Sequence, residues 1–191
     1  MLKREYHKKI KRLPIGEIPK TRRPLMSLSE MNELLTGDII IEEKLDGTLG
    51  SLEQGKLHLF CEDLQIRHTV FYDRLPSFNI LLDIAEGRII LPPEERLKFI
   101  RFGSGLTIHL EIPPVIDRRV NMTPTLFRAN LFSYLNRVSA FASQSQIEGI
   151  VVKNYQKQLF GKVVNIEFYR GIEADVSYLK RRIPETNRLL R

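Results

Sequence analysis

The stretch D-I-I-I-E-E-K-L-D-G-T at residues 38–48 joins an apolar run to a lysine and an Asp-Gly turn. A short β-branched run bounded by turn residues predicts a buried strand over Asp38–Lys44. A lysine amine is a nucleophile only once its pKa has fallen from about 10.4, which burial or neighbouring cations bring about. Lys44 is therefore a candidate nucleophile. Asp46 would then reach a sugar hydroxyl or a metal, and Gly47 would let a ligand approach closely. Alone, this pattern more often marks a plain turn.

Two later stretches bring charged residues into predicted strands: E-G-I-V-V-K at 148–153 and F-G-K-V-V at 160–164. A carboxylate at Glu148 could hold Mg²⁺, and lysines at 153 and 162 could meet phosphate oxygens. Strand alternation places Glu148 and Lys153 on opposite faces. Each stretch alone is equally explained by an ordinary strand with charged ends.

The remaining patterns predict an α+β fold. Ser27 and Glu30 form a capping-box signature, and Thr123-Pro124 a helix start. Consecutive strands without crossover helices favour antiparallel-rich sheets over a parallel sheet. Helices are predicted over 27–35, 93–102, 123–141 and 173–182, and strands over 38–44, 49–53, 56–62, 77–84, 106–112, 147–153 and 162–168. Phe127, Phe132 and Phe141 are interpreted as one apolar helix face.

Charge divides the chain into a basic N-terminal arm, residues 1–23, and a neutral body, residues 24–191. The arm holds nine Lys and Arg against two Glu, which accounts for the whole net charge of +7. It is either an electrostatic handle for phosphate backbones or a solvated leader. If it is a handle, deleting residues 1–12 should weaken RNA binding and leave catalysis nearly intact.

Bulk composition narrows the functional classes. No apolar run approaches the roughly 20 residues of a membrane span, so no membrane partner is expected. Cys61 is the single cysteine, which excludes an internal disulfide and a cysteine-based zinc site. We expect a reducing, cytoplasmic setting.

In their order and spacing, the three stretches resemble the covalent nucleotidyltransferase superfamily of DNA ligases, RNA ligases and capping enzymes. The similarity is greatest to the ATP-dependent RNA ligases. It extends from about Ile18 to Phe168 and includes F-C-E-D-L-Q-I-R-H-T-V-F-Y-D-R-L-P-S-F-N-I-L-L-D-I at residues 60–84. The resemblance implies a nucleotidyltransferase domain over 24–191 without the C-terminal oligonucleotide-binding fold of DNA ligases and capping enzymes.

The resemblance also implies roles for individual residues. Lys44 would form a lysyl-AMP phosphoramidate, Glu148 would organise the metal, and Lys162 would contact the α-phosphate. Lys153 and Lys162 would depress the pKa of Lys44. Phe78 stands beside Asn79, which occupies the register where an aromatic normally stacks on adenine. The implied catalytic residues are Lys44, Asp46 and Lys162, and the implied nucleotide-binding residues are Glu43, Lys44, Gly47, Glu62, Phe78, Glu148, Lys153 and Lys162.

The expected function is that of an ATP-dependent RNA ligase or adenylyltransferase that uses ATP and Mg²⁺ on a 5′-phosphorylated nucleic-acid end. Members of the family usually have a longer segment between the positions of Lys44 and Glu62, with an arginine that helps to grip RNA, whereas this chain has only Lys56 there. Lys56, Arg67 and His68 are therefore the candidate nucleic-acid contacts, or a homodimer or partner subunit supplies the grip. For His68, a structural histidine is the commoner interpretation.

The alternatives are a nucleotide- or RNA-binding module that has lost catalysis, a DNA ligase core and a GTP-using capping enzyme. At this point two choices stay open: whether the nucleotide is ATP or GTP, and whether the nucleic acid is RNA or DNA.

Overall fold

The computed structural model describes residues 3–15, 24–103, 109–166 and 185–190. These residues contain two sheets and four helices. The helices are α1 (Lys3–Lys9), α2 (Leu28–Leu34), α3 (Pro93–Lys98) and α4 (Pro124–Leu135), and a π-helical turn over Phe99–Gly103 follows α3. The strands are β1 (Ile10–Arg12), β2 (Asp38–Lys44), β3 (Thr48–Gln54), β4 (Leu57–Asp63), β5 (Asn79–Glu86), β6 (Ile89–Ile90), β7 (Leu110–Glu111), β8 (Val115–Val120), β9 (Gly149–Asn154) and β10 (Leu159–Val164).

The first sheet has the order β1-β10-β9-β2-β8 and places the three charged stretches of the sequence side by side. β2 pairs antiparallel with β9, so that Lys44 lies opposite Gly149 and Glu42 opposite Val151. Val151 in turn lies opposite Lys162 on β10. Residues more than a hundred positions apart in sequence therefore share one face of one sheet.

The second sheet has the order β3-β4-β5-β6, with β7 parallel to β5. Its first hairpin turns at Gly55-Lys56, one residue later than predicted, because Gly55 adopts a φ of 60°. This left-handed conformation is open to glycine at little cost. The α+β class and the antiparallel-rich sheets predicted from the sequence are confirmed.

The two sheets face one another across an aromatic core. Tyr6 of α1 stacks on Phe60 of β4 with ring centroids 4.0 Å apart, and both pack with Phe160 of β10. On its other face, the first sheet is covered by a larger apolar cluster that includes Leu34 and Phe127. The capping box of α2 forms as predicted, with the Glu30 amide donating to the Ser27 hydroxyl and the Ser27 amide to the Glu30 carboxylate.

A buried ionic network joins the two sheets. Lys153 of β9 pairs with Glu42 of β2 and with Asp83 of β5, both at 2.8 Å. Arg96 of α3 donates to Glu42 at 2.5 Å and to the Leu82 carbonyl at 2.7 Å. The Tyr6 and Tyr155 hydroxyls donate to the two oxygens of Asp83. With two carboxylates and two cations, the network is balanced in charge, as buried ions require.

Three helix and strand predictions need correction. The helix predicted to reach Phe141 ends at Leu135, because Asn136 leaves the helical conformation at φ −89° and ψ 64°. Phe132 lies within α4 and is 75% exposed, whereas Phe127 is buried and Phe141 lies beyond the helix in another cluster, so these phenylalanines do not form one helix face. β10 begins three residues before Lys162. β8 was missed because its V-I-D-R-R-V sequence lacks an apolar alternation.

Some predicted elements fall wholly or partly outside the described residues. The helix over 173–182 lies there, as do the start of the 106–112 strand and the end of the 162–168 strand. No helix among the described residues is long and apolar enough to span a membrane.

Much of the basic arm is part of the folded body. Residues 3–12 form α1 and β1, and β1 pairs in parallel with β10. Lys9 donates to the Arg88 carbonyl at 2.9 Å, Lys11 pairs with Glu30, and Arg12 is only 7% exposed. Deleting residues 1–12 would remove a strand and the buried Tyr6 ring, so the expectation that such a deletion leaves catalysis intact is withdrawn.

The hydroxyl of Tyr6 supplies a testable contribution to stability. We expect Tyr6→Phe to lower the free energy of unfolding by about 1–3 kcal/mol, since it leaves the fully buried Asp83 carboxylate short of a donor. Urea denaturation measures the loss. Tyr134→Phe is the matched control because the Tyr134 hydroxyl also donates to a carboxylate, that of Asp117, whose side chain is 20% exposed to water. Equal losses in both variants would contradict the buried-network account.

Candidate active site

A cavity of about 260 Å³ opens between the two sheets at the end of β2. Eight of the residues predicted to act on a nucleotide line it: Glu43, Lys44, Asp46, Gly47, Glu62, Glu148, Lys153 and Lys162. Other lining residues are Tyr6, His7, Ile10, Glu42, Leu45, Leu49, Leu82, Pro113 and Val151. The fold therefore brings the three charged stretches and β4 to one place.

Lys44 is held at the cavity by Glu148. Its ammonium donates to the Glu148 carboxylate and, at 3.3 Å, to the Leu45 carbonyl. Burial alone would lower the pKa of Lys44, but the negative charges of Glu148, Glu62 and Asp46 outweigh burial and raise it above its ordinary value. The prediction that neighbouring lysines depress this pKa is therefore wrong for the ligand-free protein. The carboxylates dominate, and Lys44 is protonated at neutral pH.

Glu148 lies on the same side of the first sheet as Lys153, contrary to the predicted alternation. It precedes Gly149, the first residue of β9, so the strand does not fix its direction. Burial raises the pKa of Glu148, and the charges of Lys44 and Lys162 act in the opposite direction.

Glu62 reaches the cavity from the second sheet. Its carboxylate accepts a hydrogen bond from the Gly47 amide at 3.0 Å. Burial raises the pKa of Glu62 to about 7, so both of its protonation states are populated near neutral pH. A Cβ on Gly47 would lie 2.4 Å from the Asp63 carbonyl oxygen, so this glycine permits close contact with β4.

Asp46 is fixed by backbone groups. Its Oδ2 accepts from the amides of Thr69 and Val70 at 2.7 and 2.9 Å, and its own amide donates to the Tyr72 hydroxyl at 2.9 Å. Glu43, its neighbour in the motif, accepts from the Ala140 amide at 3.2 Å, and burial raises its pKa.

The two predicted phosphate lysines differ in their surroundings. Lys162 is 5% exposed and lies close enough to Glu148 to lower the pKa of that carboxyl. Lys153 also lines the cavity, but its ammonium is bound by Glu42 and Asp83. Lys162 is therefore the better-placed lysine for a phosphate, whereas Lys153 holds the two sheets together.

Apolar side chains form the remaining wall of the cavity. Leu82 and Val151 supply it from the second and first sheets respectively. Phe78 is not among the lining residues and packs against a separate cluster that includes Leu64 and Tyr72. Phe78, one of the residues predicted to bind the nucleotide, therefore lies outside the cavity wall.

The candidate nucleic-acid contacts do not line the cavity. Lys56 lies in the exposed turn between β3 and β4. Arg67 pairs with Glu185 at 2.5 Å and lies over the Phe71 ring. His68 is nearer the site, since its Nδ1 lies 4.0 Å from Asp46 and its Nε2 lies 3.3 Å from the Thr48 hydroxyl.

Sequence reasoning missed several residues that shape the site. Glu42 precedes the motif lysine in an apolar run and carried a usable signal, because a charge inside a buried strand needs a partner. Arg96 carried none, since a charged residue on a short helix normally faces water.

The donor set suits a divalent cation that is bound mainly through its ligand. No group of three or more metal-ligating side chains forms within the described parts of the chain. Glu148 offers hard carboxylate oxygens beside the cavity, and Mg²⁺ is commonly held by one or two carboxylates together with substrate phosphates. The residues therefore fit Mg²⁺ carried with a nucleotide.

Solved structures of Naegleria gruberi RNA ligase are similar in fold to this chain over the matched part. The complex with PPi matches 77% of this chain and 55% of that chain, with a TM-score of 0.58 and 14% identity. A variant with ATP and Mn matches 85% and 62%, with a TM-score of 0.55 and 14% identity. This chain has an RNA ligase-like nucleotidyltransferase fold. The resemblance inferred from the sequence is confirmed at the level of the fold.

A further variant of the same ligase, with AMP and Mn, matches 91% of this chain at a TM-score of 0.54 and 14% identity. The chain spans 55–62% of the length of these ligase chains. No protein-family model and no curated protein matches the sequence.

The pairing of Lys44 with Glu148 makes a prediction about proton binding. We expect Glu148→Gln to lower the pKa of Lys44, because it removes the main charge that opposes burial. Carbon-13 NMR of the lysine Cε resonances across a pH titration measures this pKa. Glu43→Gln is the control, since Glu43 is not among the main carboxylates that raise the Lys44 pKa. An unchanged Lys44 pKa in Glu148→Gln would refute the electrostatic assignment.

Proposed function

We propose that this protein is an ATP-dependent RNA ligase or adenylyltransferase in which Lys44 takes AMP from ATP and passes it to the 5′-phosphate end of an RNA. The observation that carries the proposal is that four charged residues from separate strands meet at one cavity. They are Lys44 of β2, Glu62 of β4, Lys162 of β10 and Glu148, which directly precedes β9. A purely structural set of charges has no need to gather around an open cavity.

The first reaction is nucleophilic substitution at the α-phosphorus of ATP. The Nζ of Lys44 forms a phosphorus–nitrogen bond while the bond from phosphorus to the bridging oxygen breaks, and pyrophosphate leaves. Lys162 is placed to stabilise the negative charge that develops on the α-phosphate oxygens. Leu82 and Val151 supply an apolar slot for the base, and Glu62 an acceptor for a sugar hydroxyl.

Lys44 must lose a proton before it attacks. In the ligand-free protein the Glu148 carboxylate holds that proton on Lys44. Any event that engages the charge of Glu148 elsewhere lowers the pKa of Lys44, because it removes the largest of the charges that oppose burial. Glu148 would also help to hold Mg²⁺, and a bound Mg²⁺ would offset phosphate charge and assist the departure of pyrophosphate. Ligand binding and activation of the nucleophile are thus linked through one carboxylate.

The second reaction transfers AMP from Lys44 to RNA. An oxygen of the RNA 5′-phosphate attacks the same phosphorus, the phosphorus–nitrogen bond breaks, and Lys44 recovers its amine. A 3′-hydroxyl then displaces AMP and joins the ends. RNA and ATP are preferred here because the solved structures that share the fold are named as RNA ligases, some of them with ATP and Mn.

A second candidate is a nucleotide-binding module without catalysis. It is favoured by one observation, the engagement of the Lys153 ammonium by two buried carboxylates. The presence or absence of a covalent adduct separates the two candidates.

We expect the protein to form an acid-labile, alkali-resistant adduct when incubated with labelled ATP and Mg²⁺, and Lys44→Ala to abolish it. Lys157→Ala, in the turn between β9 and β10, is the control and should label like the unaltered protein. Parallel reactions with labelled GTP identify the nucleotide. Label retained in Lys44→Ala would refute the assigned nucleophile, and no label in the unaltered protein would favour the binding module.

Replacing each of the two predicted phosphate lysines, Lys162 and Lys153, should have a different effect. Lys162→Ala should slow adduct formation by about 10²–10³-fold, the usual cost of one preorganised electrostatic group. Lys153→Met should instead lower the free energy of unfolding by about 3–5 kcal/mol, since it leaves Glu42 and Asp83 with an uncompensated charge. Single-turnover labelling and urea denaturation measure the two effects. If both variants behaved alike, the division of roles would be wrong.

A further inference from the structure

The loop over residues 64–78, which connects β4 to β5, controls the position of Asp46. Two of its amides, those of Thr69 and Val70, bind the Asp46 carboxylate, and the hydroxyl of Tyr72 accepts from the Asp46 amide. Asp46 is two residues from Lys44 and lines the cavity. Whatever fixes this loop therefore fixes one wall of the site.

The loop forms only isolated bridges, at Ile66 and Leu75, and both are to the segment Glu185–Leu190. Backbone hydrogen bonds join the segment and the loop at five places: Arg67 to Glu185, Asn187 to Gln65, Arg188 to Tyr72, Leu75 to Arg188 and Leu190 to Leu75. The guanidinium groups of Arg67 and Arg188 both lie over the Phe71 ring, at 5.2 and 5.7 Å from its centroid.

Asn187 is the central residue of this contact. It is 3% exposed, and its side chain bridges Leu64, at the start of the loop, to Tyr72, on the far side of the Thr69 and Val70 amides. Its Oδ1 accepts from the Tyr72 amide at 2.9 Å, and its Nδ2 donates to the Leu64 carbonyl at 2.7 Å. Buried polar groups that lose such partners incur the full desolvation cost, so removing this amide would loosen the loop at both points.

We propose that Glu185–Leu190 is a clamp that positions Asp46 for nucleotide transfer, with Asn187 as its positioning residue. The path runs from Asn187 to Tyr72 and the loop amides, then to Asp46 beside the nucleophile. A loop without regular structure opens more easily than the sheets around it. A misplacement of about 1 Å near the reacting atoms can cost 10²-fold in rate. The clamp's catalytic effect rests on the proposed function, whereas its effect on the loop does not.

The test compares Asn187→Ala with Asn154→Ala in the full chain. Asn154 is an equally buried asparagine whose side chain makes three hydrogen bonds to backbone groups, those of Leu34, Thr36 and Lys157, against two for Asn187. All three partners of Asn154 are remote from Asp46. Both variants should lose stability. Only Asn187→Ala should lose hydrogen-exchange protection at the Thr69 and Val70 amides and form the adduct about 10–10²-fold more slowly at saturating ATP. Should Asn187→Ala fail to fold, Asn187→Ser takes its place.

Tyr72→Phe distinguishes positioning from general stability. It removes only the hydroxyl that binds the Asp46 amide, so combining it with Asn187→Ala should slow labelling by less than the product of the single effects. Multiplicative effects, or equal exchange and labelling in the two asparagine variants, would overturn the clamp. If the unaltered protein forms no adduct, the proposed function fails. The exchange measurement alone then decides: protection lost only in Asn187→Ala supports the clamp, and unchanged protection overturns it.

Discussion

The ion pairs of Lys153 with Glu42 and Asp83 are the constraint on which the site depends. They connect β9 and β2 of the first sheet to β5 of the second, and Lys153 and Glu42 also line the cavity. Buried charges of this kind add little net stability compared with apolar packing, but separating them is costly because each would be left unpaired. The network therefore fixes how the two sheets face one another, and Arg96 and Tyr6 extend it to α3 and α1.

Next to these ion pairs, three carboxyl groups surround the nucleophile Lys44 in the cavity. Glu148, Glu62 and Asp46 together outweigh the burial of Lys44 and keep it protonated. The same carboxylates would repel the phosphates of a nucleotide, so a productive complex needs cations to compensate. Lys162 provides one such charge and a divalent cation suits the rest. In the ligand-free protein, the Lys44 amine is thus protonated and not nucleophilic. The incoming ligand must therefore lower the pKa of Lys44.

Much of this arrangement was predictable from the sequence because local signals agreed with the fold. The apolar run over Asp38–Lys44 gave the strand with its observed ends, and the Ser27 capping box gave the start of α2. The strand and cap signals are short-range patterns in residue type, and tertiary contacts did not override them. Which residues would meet at the site was implied instead by the family resemblance that the order of the three charged stretches carries.

The remaining features depend on contacts between distant residues. The shift in the Lys44 pKa is the sum of two opposing effects, burial and the neighbouring negative charges, and only the three-dimensional distances decide its direction. Asn187 reaches partners more than a hundred residues away, Leu64 and Tyr72. Most directly, the central claim is tested by mass spectrometry of proteolysed protein after incubation with ATP and Mg²⁺. The account predicts adenylate on the peptide that contains Lys44 and on no other lysine. Adenylate on a different residue, or none at all, would contradict it.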